Sequence, residues 1–534
     1  MQRENKEIKF NEEAREKLLI GARKAYETLK QAYGPQSGNV LIEKNYGDAI
    51  LTHDGISIIR EIYLMDPIEN MGARMLVQAS KQTNDMAGDG TSLTVILAYH
   101  IIELALKRIS VGYNAMGIRK GILKASEDII EEVKKISEDV NDRLSEVAVV
   151  SCGDDAIGKL IAETIEKVGD NGTVTVEESK EIMGVQREIV EGFYFKKGFS
   201  NPYMATNPDR MVSELKKPYI LVTEKRLSKI SDILEVLKQI NDEGRRPGES
   251  LLIIGEVTGD ALNMLIANKL NKAVISVSVS SPIVGDQSSL ALEDIAVYTG
   301  AKFITTSDDM SQITLNDLGR SESAFIDSES TTIIKGFGSE EEIKTRIKGL
   351  KSGIKEEKNT FRKERMEDRL ARLSGQVGVI QVGGATETEM FETKDRVDDA
   401  VCATRAAKEE GIVPGGGVTL LDISKMVVEC NDLDEDELIG YQVTLESLKE
   451  PFKQLINNSF GNPEYYLKQL DKEPFGKGYN VKHSADVVDL RKEGVIDATK
   501  VIRMAVENAC SIAANFVTTN CAIAFEKKDE SKSN

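Results

Sequence analysis

The sequence Gly88-Asp89-Gly90-Thr91-Ser92 opens a strongly apolar helical pattern that runs to Ser110. Its glycines let the backbone approach a phosphate, the free N–H groups at a helix start point toward such an anion, and a carboxylate such as that of Asp89 is a suitable ligand for Mg²⁺. A second acidic stretch, Arg396-Val397-Asp398-Asp399-Ala400, follows much later in the chain. If folding joins the two, the second carboxylate can activate water beside a metal-bound phosphate. The pattern therefore predicts one phosphate site assembled from distant parts of the chain.

The composition indicates a large, acidic protein of several domains. A chain of 534 residues with 40% hydrophobic content can bury more than one core, so two or three domains are expected. The formal net charge of -19 at pH 7 disfavours nucleic acid and anionic membranes as partners, because clustered Lys and Arg hold phosphate groups.

The cysteines and the first residues indicate the compartment. No CxxC pair occurs, so the chain suggests neither a disulfide framework nor a zinc site, and small buried thiols are expected at Cys152, Cys402, Cys430, Cys510 and Cys521. Residues 1–9 are polar, and no uninterrupted apolar stretch is long enough to cross a bilayer. We therefore expect a cytoplasmic protein.

The order of patterns along the chain predicts nested domains. The first third reads as long helices, with Asn11 as a helix cap, around a hairpin of residues 39–42 and 49–52. Residues 192–300 alternate β-rich runs with amphipathic helices, as in an α/β domain, and a charged helical stretch follows from Glu340 to Leu373. A β-rich run, Val377–Val382, and a second helical region then return the chain to its starting neighbourhood.

Other turns carry weaker signals that have ordinary structural explanations. Asp54 is an acid on a tight turn, where it can equally form an Asx turn or cap the helix that follows. The stretches Gly34-Pro35 and Gly415-Gly416-Gly417 can touch a nucleotide or simply form loops. No Walker A sequence occurs, so the common phosphate loop is excluded.

Taken together, these motifs are much more specific than each one alone. They occur in the order and at the spacing of the group I chaperonins, which the chain resembles from about Ile8 to Phe525. The matching motifs are Gly34-Pro35, Asp54-Gly55, Asn70-Met71-Gly72-Ala73, Asn84-Asp85, Gly88-Asp89-Gly90-Thr91, Val397 with Asp399-Ala400, Ala403-Thr404-Arg405-Ala406-Ala407, Glu409-Glu410-Gly411, Gly415-Gly416-Gly417, and Asp497 with Thr499-Lys500-Val501.

The resemblance implies a multi-domain α+β fold with nested, discontinuous topology. Residues 1–136 and 412–534 would form a mainly helical equatorial ATPase domain. Residues 137–190 and 378–411 would form a small α/β intermediate hinge domain, and residues 191–377 an α/β apical domain. It further implies a homo-oligomer of heptameric rings, a lid-forming co-chaperonin and unfolded polypeptides as partners.

The resemblance also implies roles at an ATP site. Asp89 would coordinate Mg²⁺ on ATP, Asp399 would orient the attacking water, and Asp54 would assist it, with K⁺ as a further ion. The family's other nucleotide contacts match Gly34, Pro35, Gly90, Thr91, Ser92, Gly416, Asn480, Val481 and Asp497. This division of labour agrees with phosphoryl transfer in general, where metal and amides neutralise charge and a carboxylate places water.

The apolar residues of the α/β region can be interpreted either as core residues or as a binding surface. Stripes such as Leu262, Leu265 and Ile266 usually belong to a core. The resemblance instead implies that one set lines the rim of a ring and grips unfolded chains and the lid: Phe199, Tyr203, Met204, Leu234, Leu237, Leu262 and Ile266. Contacts that rely on apolar area carry little directionality, as capture of many different sequences requires.

Several positions depart from the family pattern near the expected site. Ala32 replaces a common threonine, Gln36 and Ser37 replace a lysine and a glycine, and His53 replaces a frequent lysine. Fewer cationic phosphate contacts put nucleotide affinity and turnover in question. The main alternative function is therefore a ring-shaped scaffold without ATP turnover, and a second alternative is a small-molecule phosphotransferase.

Overall fold

The computed structural model divides into two compact units, and the chain leaves and re-enters the first of them. Unit 1 comprises Met1–Glu163, Lys180–Gly184 and Val382–Asn534, and unit 2 comprises Thr164–Ser179 and Val185–Gln381. This nested order and the mixture of helical and α/β parts confirm the predicted multi-domain α+β fold. The separate hinge domain stays a prediction. The structure describes residues 6–43, 49–169, 173–179, 183–208, 211–244, 250–271, 273–283, 288–356, 360–425, 432–483 and 485–525.

The elements are numbered in chain order. The helices are α1 Asn11–Leu29, α2 Gly55–Arg60, α3 Pro67–Ala87, α4 Thr91–Ser110, α5 Ala115–Ile136, α6 Leu144–Cys152, α7 Asp155–Val168, α8 Ser231–Gly244, α9 Gly259–Leu270, α10 Ser288–Thr299, α11 Glu340–Glu356, α12 Thr360–Leu373, α13 Glu387–Glu410, α14 Val418–Ser424, α15 Glu435–Ser447, α16 Glu450–Ser459, α17 Pro463–Leu470 and α18 Thr499–Val517. The strands are β1 Lys6–Phe10, β2 Val40–Ile42, β3 Ile50–Thr52, β4 Thr173–Glu178, β5 Gly184–Phe195, β6 Ser213–Lys216, β7 Tyr219–Thr223, β8 Ser250–Ile254, β9 Ile275–Val279, β10 Phe303–Ile304, β11 Gly319–Ile326, β12 Thr331–Gly336, β13 Gln376–Gly383, β14 Ile412–Pro414, β15 Lys477–Tyr479, β16 Val487–Asp489, β17 Ile496–Ala498 and β18 Cys521–Phe525.

Unit 1 is a helical core in which small residues allow close helix contacts. A Cβ atom added to Gly21 of α1 would lie 1.7 Å from the Glu69 carbonyl oxygen, and one added to Gly72 of α3 would lie 1.9 Å from the Leu18 carbonyl oxygen. Any side chain at either glycine would force α1 and α3 apart. Helix α18 packs against α3, α4 and α5 in the same core. Among the described residues, no helix is long and apolar enough to cross a membrane.

The chain ends of unit 1 pair with each other. Strand β1 lies antiparallel to β18, with Lys6 opposite Phe525 and Phe10 opposite Cys521. The predicted cap was wrong: Phe10 is the N-cap of α1 and Asn11 is its first helical residue, whose backbone N–H donates to the Asn520 carbonyl oxygen at 2.7 Å. The predicted hairpin is confirmed as β2 paired with β3, and its turn lies outside the described residues.

Unit 2 is built on a mixed sheet. Strands β7, β8 and β9 run parallel and alternate with helices, which confirms the α/β character predicted for residues 192–300. Strand β8 is buried along its whole length, as expected for a parallel strand with both faces covered. The path continues antiparallel through β11, β12 and β5 to β13 and β4.

A buried ion-pair network joins three helices of unit 2. Asp294 of α10 is 1% exposed, and its carboxylate accepts hydrogen bonds from Arg369 Nε of α12 at 2.6 Å and Arg369 Nη2 at 2.8 Å. It also accepts one from Arg346 Nε of α11 at 2.7 Å, while Arg346 Nη2 donates to the more exposed Glu293 at 2.9 Å. One carboxylate thus fixes the positions of α11 and α12 on α10.

Candidate functional site

The Gly88–Ser92 turn has the backbone form expected of an anion-binding turn. Gly88 ends α3 with φ 72°, and Gly90 precedes α4 with φ 91°, both in the left-handed region that favours glycine. Asp89 lies between them, and its carboxylate accepts a hydrogen bond from the Gly90 N–H. The first N–H groups of a helix lack partners within the helix, so those at the start of α4 are available to an anion.

Asp54 caps α2 and also lies beside this turn. Its carboxylate accepts hydrogen bonds from Ile56 N at 3.2 Å and Ser57 N at 2.9 Å. The next residue, Gly55, is so close to α4 that an added Cβ would lie 2.3 Å from Thr91 Oγ1. Asp54 therefore caps α2, as an ordinary turn would predict. The cap holds its carboxylate near the Asp89 turn.

The second acidic stretch also reaches the Asp89 turn. It lies on α13, and Cys402 of that helix contacts Gly88, where an added Cβ would lie 2.2 Å from the Cys402 Cβ. Burial, together with the nearby carboxylates of Asp398, Asp399 and Asp89, raises the pKa of the Cys402 thiol to about 12. The structure therefore brings the two distant acidic stretches together, as predicted.

Asp497 lies on a further side of the same site. It is on β17, opposite Val413 of β14, and an added Cβ on Gly415 would lie 3.0 Å from Asp497 Oδ1. Burial and, to a smaller extent, the charge of Asp89 together raise the pKa of Asp497 to about 7. Sequence reasoning did not single out Tyr33, whose pKa is raised by burial and by the charges of Asp497 and Asp89.

The remaining predicted contacts surround this group. Gly34 (φ 93°) and Gly416 (φ 63°) both approach Leu455, since added Cβ atoms would lie 2.4 Å and 3.9 Å from its methyl carbons. Pro35 is exposed, Thr91 is buried and Ser92 is half-buried. Asn480 and Val481 follow β15 and are 8% and 9% exposed, so little of either side chain faces solvent.

The charges of this group fit a bound cation. Burial raises the pKa of Asp89, and the charge of Asp54 raises it further. Clustered carboxylates repel each other unless protons or a cation neutralise them. Among the described residues, no three His, Cys, Asp or Glu side chains are grouped so that they alone hold a metal ion. Mg²⁺ commonly binds one or two carboxylates and completes its shell with water and phosphate oxygens, so the residues present fit Mg²⁺ on a nucleotide.

Two departures from the family pattern have a visible structural consequence. His53 Nδ1 lies 3.8 Å from Glu392 Oε1 of α13, so this side chain faces a carboxylate of the same unit. Ala32 is 9% exposed and packs in the helical core. The contact of Cys402 with Gly88 was not predicted, although Cys402 stands only three residues after Asp399.

Five of the seven predicted rim residues have accessible surface within unit 2. Tyr203 is 68% exposed, and the other four, Phe199, Leu234, Leu262 and Ile266, are half-buried. Met204 and Leu237 are 0% and 4% exposed, which contradicts the accessible surface expected of them. Met204 Sδ accepts a hydrogen bond from Ser278 N at 3.2 Å, and Leu237 faces the sheet with Ile233.

The raised pKa of Asp497 predicts a specific pH dependence in the absence of nucleotide and Mg²⁺. Because the folded-state pKa of about 7 exceeds the ordinary 3.8, the folded protein binds more protons than the unfolded chain between these values. The contribution of Asp497 to the free energy of unfolding therefore falls as the pH rises from about 4 to about 7. We expect the advantage of Asp497→Asn over the parent, measured by chemical denaturation, to grow over that range. An advantage that shrinks with rising pH would contradict the assignment.

Comparisons with known proteins agree with this architecture. Residues 26–527 match the model of the TCP-1/cpn60 chaperonin family. Similar structures include the chaperonin gp146 from the bacteriophage EL 2 (Pseudomonas aeruginosa) in presence of ATP-BeFx, crystal form II, with 20% identity, a TM-score of 0.64, and coverage of 99% of this chain and 100% of that chain. Crystal form I of the same protein gives 21% identity, a TM-score of 0.60, and coverage of 97% and 99%. Identities this low indicate a shared fold.

Proposed function

Since this chain belongs to the TCP-1/cpn60 chaperonin family, we propose that it is an ATP-driven chaperone of the group I type. It captures non-native proteins, encloses them in a ring-shaped chamber in the cytoplasm and helps them refold. ATP hydrolysis drives the cycle, so the protein is also an ATPase. The observation that carries the proposal is the contact between Cys402 and Gly88, which joins the Asp399 helix to the Asp89 turn.

The residues of the site divide the work of phosphoryl transfer. The N–H groups at the start of α4 and the Thr91 and Ser92 hydroxyls bind phosphate oxygens. Asp399 accepts a proton from the attacking water and orients it, and Asp54 assists from its cap on α2. Gly34, Pro35 and Gly416 bring backbone to the phosphates and ribose, while Asn480, Val481 and Asp497 contact the base and ribose.

Asp89 is the proposed protein ligand of Mg²⁺. When bound, the metal neutralises charge on the phosphate oxygens. It would also relieve the repulsion that raises the pKa of Asp89. K⁺ is proposed as a further ion of the site.

The proposed capture surface consists of the five predicted rim residues that are accessible in unit 2. They are Phe199, Tyr203, Leu234, Leu262 and Ile266. An exposed Leu or Ile forgoes about 1.5–3 kcal/mol of possible burial, which a partner's apolar side chains can recover. Unfolded polypeptides and a lid-forming co-chaperonin are the proposed partners, and the subunits form heptameric rings.

One observation favours a scaffold without ATP turnover as the second candidate. His53 stands where relatives often carry a lysine, and it faces Glu392 at 3.8 Å. If cationic phosphate contacts are lost in this way, ATP binding can be too weak for a working cycle. The two candidates differ in one measurable property, which is phosphate release coupled to release of a captured polypeptide.

The test uses the full-length protein with a chemically denatured client, ATP and Mg²⁺. We expect steady phosphate release, suppression of client aggregation, ATP-dependent client release, and rings in negative-stain images. Tyr203→Glu is expected to weaken client capture by about tenfold, because a charge replaces apolar contact area. Tyr465→Glu is the matched control, since Tyr465 is a 55% exposed tyrosine in unit 1.

Two results would replace the proposal. Rings that capture clients without phosphate release would identify a scaffold. Phosphate release that requires an added small metabolite would identify a phosphotransferase.

A further inference from the structure

Helix α13 and the end of α3 approach each other to a distance that only glycine permits. A Cβ atom on Gly88 would lie 2.2 Å from the Cys402 Cβ, 2.7 Å from its Sγ and 3.5 Å from its Cα. Carbon atoms that are not bonded do not approach this closely without a shift of the backbone. The Cys402 side chain therefore lies directly against the Gly88 backbone.

This contact lies close to two carboxylates of the proposed site, since both Asp89 and Asp399 act on the Cys402 thiol. Gly88 immediately precedes Asp89, and Cys402 follows Asp399 by three residues on α13, so the two side chains of the helix lie on one face. We propose that Cys402 is a positioning residue, a steric stop against Gly88 that sets the separation of Asp399 from Asp89. The inference deepens the proposed ATP hydrolysis and rests on it.

The neighbours of the contact make it rigid. Ala87, which precedes Gly88, is 5% exposed, and Ala403, which follows Cys402, is 4% exposed. Both belong to one apolar cluster that also contains Val501 and Met504 of α18. The end of α13 is fixed as well, since the Glu410 carboxylate accepts hydrogen bonds from Arg503 Nε at 2.8 Å and Arg503 Nη2 at 2.6 Å.

The chemistry of a thiol suits this position. A cysteine is small enough to fit against a glycine, and it behaves as an apolar group when it is neutral. Burial and three nearby carboxylates raise the pKa of Cys402 to about 12, so the side chain adds no charge beside Asp398, Asp399 and Asp89. A larger side chain would push α13 away from the turn.

The test introduces a steric clash at Gly88 and then removes it with a second substitution at Cys402. In Gly88→Ala, the new methyl group meets Cys402, and we expect the kcat of ATP hydrolysis to fall by about 10- to 100-fold, because a displacement near 1 Å can have that effect. The KM for ATP should change by less than about threefold, since the phosphate contacts lie on α4. Cys402→Gly in the same chain removes the clashing atoms and should restore kcat to within about threefold of Cys402→Gly alone.

The control separates the clash from backbone strain. Gly153 ends α6 with φ 75°, close to the 72° of Gly88, and nothing lies within 4 Å of an added Cβ. Gly153→Ala therefore carries the same left-handed strain without the contact, and its kcat should stay at the parent value. Cys402→Ser, which keeps nearly the same size, should also keep the parent kcat.

A second readout does not depend on ATP turnover. The rate of Cys402 alkylation by a maleimide, followed for its own peptide by mass spectrometry, should rise at least about tenfold in Gly88→Ala and stay low in the parent and in Gly153→Ala. Parent-like kcat in Gly88→Ala, or a loss that Cys402→Gly does not relieve, would overturn the inference. A parent protein that protects Cys402 but never hydrolyses ATP would instead overturn the proposed function.

Discussion

Asp399→Ala is expected to slow ATP hydrolysis by about 10²- to 10⁴-fold, the usual contribution of a positioned general base. ATP should still bind, because the proposed phosphate contacts lie on α4 and Asp89 remains as the metal ligand. The measurement is single-turnover hydrolysis together with the Kd of ATP. A captured client should accordingly stay bound when ATP is added, because the cycle stops before hydrolysis.

Asp398→Ala is the matched comparison for this variant. Asp398 is the neighbouring carboxylate on α13, and both charges act on the Cys402 thiol. The resemblance assigns the water to Asp399, so the loss should be much smaller in Asp398→Ala. The reverse result would move the role to Asp398, and parent-like hydrolysis in both variants would remove α13 from the chemistry.

Asp294→Ala is expected to lower the free energy of unfolding of unit 2 by about 3–5 kcal/mol, because it leaves the buried guanidinium of Arg369 without its carboxylate partner. Arg369 is only 7% exposed, and its Nε and Nη2 atoms both donate hydrogen bonds to Asp294. Loss of this carboxylate also removes a bond to Arg346, which ties α11 to α10. Hydrogen exchange of unit 2 peptides in the full chain measures the effect.

Glu293→Ala is the control for the buried network. Among the residues that the structure describes, Glu293 forms an ion pair with Arg346 at 2.9 Å, and its side chain is 37% exposed, so a loss of about 0–1 kcal/mol is expected. Equal protection of α11 and α12 in the two variants would show that burial of Asp294 is not what holds these helices. Loss of protection in Asp294→Ala alone would support the network.

Local sequence patterns were sufficient to predict much of the fold. The β2–β3 hairpin and the parallel strands β7 to β9 follow from short β-prone runs and their turns, and α4 begins at the Gly-Asp-Gly turn. The pairing of β1 with β18 was missed, because nothing in either short segment indicates a partner at the other end of the chain. The Asp294 network was missed for the same reason.

The site was predictable where residue type and chemistry coincide. Asp54 and Asp89 were named as carboxylates on tight turns and Asp497 through the family resemblance, and the charge of Asp89 interacts with both of the others. Steric contacts were less predictable. The positions of Met204 and Leu237 in the core, like the contact of Cys402, depend on packing between elements that periodicity does not describe.

The pairing of β1 with β18 has a consequence for biosynthesis. A ribosome releases Lys6–Phe10 long before Cys521–Phe525, so the first strand has no partner until the segment Cys521–Phe525 has been synthesised. Unit 2, whose sequence lies between, can fold during that delay, while helices of unit 1 expose apolar faces. Loop closure over such a separation is slow, so we expect the β1–β18 pair to form late in folding.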